Sequence, residues 1–430
     1  MKNMNSRTDL ASNQATSLLF ASLYMNMGDV LQATQTLSHR PELSEQIRET
    51  LHKMMIEELP KLKGEMTHEE LKAAAKQRVE EWTKSIGTPS IDQYAALSKY
   101  WGVPISDIIK EKITPKVIFD LLNCFVVGQD NYKRQLAMSF YIYLMEKDQR
   151  VGLNELPNGN LFVYGPSGSG KTYGIQTLAR HFGVPVIIVH CNTLVAEGIV
   201  GSCISDYFTG AWLALKGKTK EEKIKELSHA VVLFDESDKL PENHYGSAIY
   251  NEMLSIIDDN GEVRFKVDYN ATSPFVTIPN KNMMFVFTGV FDGIDKIRSG
   301  DSLGFRNADT KPQRPIESSD LIKYGLKPEI VGRIQNYTTV ERLSVDDLYE
   351  LLNSKMESPL NNFRNYFHYN DIEVSITTDA MMALAQIAYK KELGVRGLKG
   401  LLNDILKEEM FNLSQSHLEI DRQFIEQHIN

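Results

Sequence analysis

Lys171 and Thr172 close the run Gly165-Pro166-Ser167-Gly168-Ser169-Gly170-Lys171-Thr172, a spacing of glycine, lysine and hydroxyl that can grip a chain of phosphates. The glycines let successive backbone N–H groups turn inward around anionic oxygens, the lysine reaches the outer phosphates, and the Thr172 hydroxyl can ligate Mg²⁺. A second reactive pair follows at Asp235 and Glu236. One carboxylate can hold the metal through water while its neighbour polarises the attacking water. The two sets together point to hydrolysis of a nucleoside triphosphate, with ATP and Mg²⁺ as the expected cofactors.

Such groups work only if the chain brings them to one edge. Leu161-Phe162-Val163-Tyr164 is apolar and precedes the glycine run, and a helical pattern follows it, so the order reads strand, phosphate loop, helix, with the helix N-terminus adding positive potential. Ala230 to Phe234 form an apolar run that ends at Asp235, as a buried Walker B strand should. From about 113 to 338, β-rich runs at 161–164, 186–190, 230–234 and 283–288 alternate with helical stretches, which predicts an α/β fold with a parallel sheet covered by helices. Residues 339–430 change character, with helices around 344–366 and 379–391, another after Arg396, and short β pieces at 373–376 and 418–420; they predict a small, mainly helical domain. Residues 1–112 read as a helical N-terminal region, with Thr67 as an N-cap ahead of Glu69 and Glu70. Within it, Tyr94 to Ile109 resembles a helix-turn-helix around Gly102, but the basic footprint of a DNA reader is missing and a helical hairpin is the simpler reading.

Composition narrows the class. A chain of 430 residues with 42% hydrophobic content can build two or three domains with substantial cores. A net charge of −9 argues against nonspecific nucleic-acid or anionic-membrane binding, and favours protein partners. Cys124, Cys191 and Cys203 form neither a disulfide framework nor a zinc motif. No signal-like or membrane-length apolar stretch is seen, so a cytoplasmic location is expected.

Beyond the phosphate loop, several ordered motifs resemble the AAA+ unfoldases of the ClpX type, with HslU a near relative. Thr114-Pro115 followed by Phe125-Val126-Val127-Gly128-Gln129 looks like the family's leading segment, whose apolar pair, here Val126 and Val127, packs on adenine. Leu321 to Arg333 is similar to the long box that ends in an arginine finger, and Gly394-Val395-Arg396-Gly397-Leu398-Lys399 to sensor 2. Thr288 falls where the fold places the polar sensor 1 residue, able to position water. The resemblance implies a homo-hexameric ring in which Arg333 reaches the γ-phosphate of a neighbour, and Arg396 turns nucleotide state into domain rotation.

The substrate-facing parts depart from that pattern. Residues 1–112 hold no cysteine, so the family's usual N-terminal zinc domain is not carried over. Gly198-Ile199-Val200-Gly201 stands where the family's first pore loop has an aromatic residue, which predicts altered traction on a polypeptide. The stretch between Glu236 and Thr288 leaves little room for a second pore loop. Leu303-Gly304-Phe305 occupies the place of a tripeptide that plugs into the ClpP peptidase. The leading expectation is an ATP-driven unfoldase acting on protein substrates, with a ClpP-like peptidase as candidate partner. A protease-independent remodelling ATPase, and an ATP-switched regulatory protein using its N-terminal region, remain open alternatives.

Overall fold

The computed structural model describes residues 67–85, 88–109, 111–147, 159–195, 202–243, 246–258, 261–270, 272–299, 314–353 and 358–428. Residues 1–66, the Gly198–Gly201 loop and Leu303–Phe305 lie outside them.

The apolar runs do become parallel strands. β1 (Leu161–Tyr164), β2 (Val186–His190), β3 (Val231–Asp235), β6 (Met284–Gly289) and β7 (Asn336–Thr339) make a five-stranded sheet in the order β2-β3-β6-β1-β7, and every neighbouring pair is parallel. β1 and β6 are buried throughout, the expected state of central strands covered on both faces by helices. Alternate strand residues feed two separate cores. Phe162, Phe234, Phe285 and Phe287 pack into one, and Leu161, Val163, Val231 and Leu233 into the other. Each fully buried side chain of this kind stabilises by about 2 kcal/mol relative to exposure.

Among the described residues, three strands were not anticipated from the sequence. Between Glu236 and Thr288 the chain forms the helix Gly246–Ile257 and then an antiparallel hairpin, β4 (Glu262–Lys266) with β5 (Phe275–Pro279). Its inward residues Val263, Phe265, Val276 and Ile278 are buried while their neighbours alternate outward. β7 reads as polar Asn-Tyr-Thr-Thr, and is a strand because it adds to the edge of β1.

The described part of the N-terminal region does not stand apart as a domain ending at 112. Ala75, Val79, Tyr94, Leu97, Val103, Ile105 and Ile108 share one core with Phe125, Leu178 and Val184 of the ATPase region. The Gly102 turn is present, but the helix after it, Ile105–Ile108, is four residues long with both isoleucines buried. That is too short and too buried to lie in a DNA groove, which corrects the helix-turn-helix alternative.

The C-terminal part has a core of its own. Helices Val345–Asn353, Pro359–Tyr369, Thr378–Lys390 and Gly394–Asn412 pack with a parallel pair, β8 (Glu373–Ile376) and β9 (His417–Ile420), around Leu348, Leu352, Phe367, Leu384, Leu402 and Leu418.

Candidate nucleotide site

Three neighbouring strands, β3, β6 and β1, deliver the site to the C-terminal edge of the sheet, where open α/β folds form their binding crevice. β1 runs into the glycine loop, in which Gly165, Gly168 and Gly170 all take positive φ, and Lys171 opens the helix Lys171–His181. Lys171 is buried, and its ammonium donates to the carbonyls of Gly165 at 2.7 Å and Pro166 at 2.8 Å. Burial pulls its pKa down to about 8; the charges of Asp235 and Asp238 oppose the shift and that of Arg396 adds to it. A buried cation held by neutral carbonyls at a helix N-terminus favours an anion beside it.

Asp235 is the centre of the polar cluster. Its Oδ1 accepts a 2.6 Å hydrogen bond from the Thr288 hydroxyl, and its Oδ2 accepts from Thr172 at 3.3 Å. Thr288 is fully buried, and its hydroxyl is committed as a donor to Asp235. Thr172 and Asp235, a hydroxyl and a carboxylate side by side, are the oxygen donors that magnesium takes alongside phosphate.

Glu236 is exposed and sits at φ 55, a left-handed conformation that costs a non-glycine residue of order 1 kcal/mol. The turn after it is locked by Ser237, which donates to the Thr288 carbonyl at 3.0 Å, and by buried Asp238, which accepts from the Val290 N–H at 3.3 Å. Sequence reasoning passed over both residues. Their only signal is position, immediately after the acidic pair.

The small domain meets the loop directly. The Val395 N–H donates to the Gly168 carbonyl at 3.1 Å, and a Cβ on Gly394 would come within 3.0 Å of the same oxygen. Arg396 stands in the first turn of that helix, close enough for its charge to act on Lys171. Val126 and Val127 are both buried, yet Val126 belongs to the core of the large domain and Val127 to that of the small one. Next to them the Gln129 side chain donates to the Glu341 carbonyl at 2.7 Å and accepts its N–H at 2.8 Å, clamping the segment to the interdomain linker.

Arg333 lies elsewhere. Its carbonyl accepts from Asn160 at 3.0 Å, at the start of β1, and its guanidinium pairs with Asp258. The length of β1 therefore separates it from its own phosphate loop, roughly 16 Å of extended chain, well beyond the reach of an arginine side chain.

Residues 156–337 match the family model for the AAA domain (Cdc48 subfamily). Two proteins named ATP-dependent Clp protease ATP-binding subunit ClpX, from two strains of Porphyromonas gingivalis, are each 26% identical over 364 residues, covering 78% of this chain and 87% of theirs. Residues 156–337 thus carry an AAA domain, and the chain is an ATPase similar to the two ClpX-named proteins. Among the described residues, no helix is long and apolar enough to cross a membrane, and no cluster of His, Cys, Asp and Glu forms a separate metal site.

Proposed function

We propose that the chain works as a homo-hexameric, ATP-driven protein unfoldase and translocase in the cytoplasm. The observation that carries this reading is the contact of Gly394 and Val395 with the phosphate loop, with the Arg396 charge acting on Lys171, while Arg333 of the same chain pairs with Asp258 instead. The first lets the nucleotide set the angle between the domains, and the second requires a neighbour for the finger to act, which is head-to-tail ring geometry.

In this reading Gly165, Pro166, Ser167, Gly168, Ser169 and Gly170 present backbone groups to the phosphates and Lys171 neutralises them. Thr172 and Asp235 hold magnesium, Thr288 orients Asp235, and Val126 and Val127 flank the base. Bound ATP with magnesium supplies an activated phosphoryl group. Glu236, turned to solvent, takes the proton from the attacking water at its carboxylate, and Arg333 from the adjacent subunit neutralises the charge that develops. Arg396 passes the change to the small domain. Ile199 and Val200, between Gly198 and Gly201, would push polypeptide through the ring, and Leu303, Gly304 and Phe305 would dock a ClpP-like peptidase.

The test is ATP-dependent unfolding of a tagged fluorescent protein by assembled rings. Loss of fluorescence that requires ATP hydrolysis and changes in Ile199→Tyr supports translocation; hydrolysing rings that unfold nothing, in either variant, contradict it. Deleting Leu303–Phe305 separates the two motor readings. Loss of peptidase stimulation with unchanged ATPase supports docking, whereas no effect favours remodelling without a peptidase.

A further inference from the structure

Gly174 is an anomaly with a cause. It lies inside the phosphate-loop helix Lys171–His181, where glycine is a poor helix former. A Cβ at this position would stand 2.6 Å from the Tyr132 hydroxyl and 3.1 Å from its ring, so the missing side chain makes room for a phenol. That phenol is fully buried, and its hydroxyl donates to the carbonyl of Lys171 at 2.5 Å. Burial raises its pKa far above the usual phenol value, which keeps the proton on and the hydroxyl a donor.

Tyr132 belongs to the first turn of the helix Asp130–Lys147, directly after Gln129 and its clamp on Glu341. It therefore connects the Val126–Gln129 segment to the backbone of the residue whose ammonium faces the phosphates. We propose that Tyr132 is a positioning residue for the nucleotide: its hydroxyl fixes the first turn of the phosphate-loop helix against the segment that flanks the base. The inference rests on the reading of Gly165–Thr172 as the phosphate site. It assigns Gly174 a specific reason to be glycine, since any larger residue displaces the hydroxyl from Lys171.

The same helix provides an internal control. Tyr143 is also buried and donates its hydroxyl to a backbone carbonyl, that of His229, at the start of β3 and away from the loop. Phenylalanine at either position keeps the ring and removes one hydrogen bond.

The experiment is titration of the full-length chain with a fluorescent N-methylanthraniloyl ATP, beside thermal unfolding, for Tyr132→Phe, Tyr143→Phe, Gly174→Ala, the double variant Tyr132→Phe/Gly174→Ala, and Lys171→Ala. Both tyrosine variants should melt somewhat earlier, but Tyr132→Phe alone should weaken nucleotide binding, by about fivefold for one hydrogen bond. Gly174→Ala should weaken binding as well, and by a smaller factor in the Tyr132→Phe background, where its closest contact is gone. Unchanged affinity in Tyr132→Phe, or an equal loss in Tyr143→Phe, overturns the proposal while a dead Lys171→Ala leaves the site reading standing. Normal binding by Lys171→Ala overturns both.

Discussion

Gly168 and Val395 are joined by a 3.1 Å backbone hydrogen bond, so the phosphate loop of the large domain and the first turn of a small-domain helix are in direct contact. Gly394 makes this possible, at φ 56 and with its Cα against Gly168. Gly394→Ala strains the left-handed turn by about 1–2 kcal/mol and pushes on the Gly168 carbonyl. The expected result is a roughly tenfold lower kcat/KM for ATP, with the fold retained by circular dichroism. Steady-state kinetics at fixed protein concentration checks it.

The Thr288 hydroxyl donates to Asp235. Thr288→Val keeps the shape but leaves Asp235 Oδ1 without its 2.6 Å partner. Loss of a hydrogen bond to a charged group corresponds to about 1.5–3 kcal/mol, so kcat should drop by at least about tenfold. Thr288→Ser retains a hydroxyl and should restore most of the rate. A side chain that only filled the strand would give the opposite ranking, with valine active and serine impaired.

Asp320 anchors the segment leading to the Arg333 box. Arg314 donates to both of its oxygens, at 2.7 and 2.5 Å, and the carboxylate is fully buried. The Arg314 hydrogen bonds hold its pKa below the usual carboxylate value against the opposing effect of burial. The folded pKa is therefore lower than the unfolded one. The stabilisation is present above the unfolded value near about 3.9 and is lost as pH falls through the folded value. Asp320→Asn should destabilise by about 2 kcal/mol at pH 7, and the gap to wild type should narrow on acidification. Denaturant melts across pH 3 to about 7 test both the size and the sign.

The sheet edge carrying Asp235 and the glycine loop was legible in the sequence because each piece obeys a local rule. An apolar run ending in Asp235 and Glu236 has to be a buried strand with its acids at the tip, and the glycine run before Lys171 has to be a loop that opens a helix. The small domain was readable for the same reason, its helices having strong apolar periodicity. The β4–β5 hairpin also carried its signal, in the alternation of Glu262 to Lys266 and Phe275 to Pro279, although the stretch was read only for its lack of room for a second pore loop. Tyr132 with Gly174, and Asp258 with Arg333, are different in kind. Each pairs residues far apart in the chain, and although Arg333 ends a recognisable box, nothing in the sequence marks its partner; only packing brings them together. The packing of the N-terminal helices against Phe125, Leu178 and Val184 was not legible, because an apolar face cannot reveal what it packs against.

Arg333 and Asp258 form an exposed pair, with 35% and 57% of their side chains accessible. Pairs of this kind contribute less than about 1 kcal/mol. Arg333→Ala and Asp258→Asn should both melt within a few degrees of wild type. A lost ATPase activity in Arg333→Ala is then a defect of the site and not of folding.

The central claim, that each active site is completed by an arginine from the next subunit, is tested most directly by mixing two inactive variants. Glu236→Gln and Arg333→Ala should each assemble and bind ATP yet hydrolyse almost none. In a random equal mixture, about a quarter of the sites pair an intact Glu236 with an intact neighbouring Arg333. ATP hydrolysis should recover to roughly that fraction of wild type once the subunits exchange. A mixture as inactive as its components, in rings shown by sizing to be mixed, would place Arg333 in cis and contradict the account.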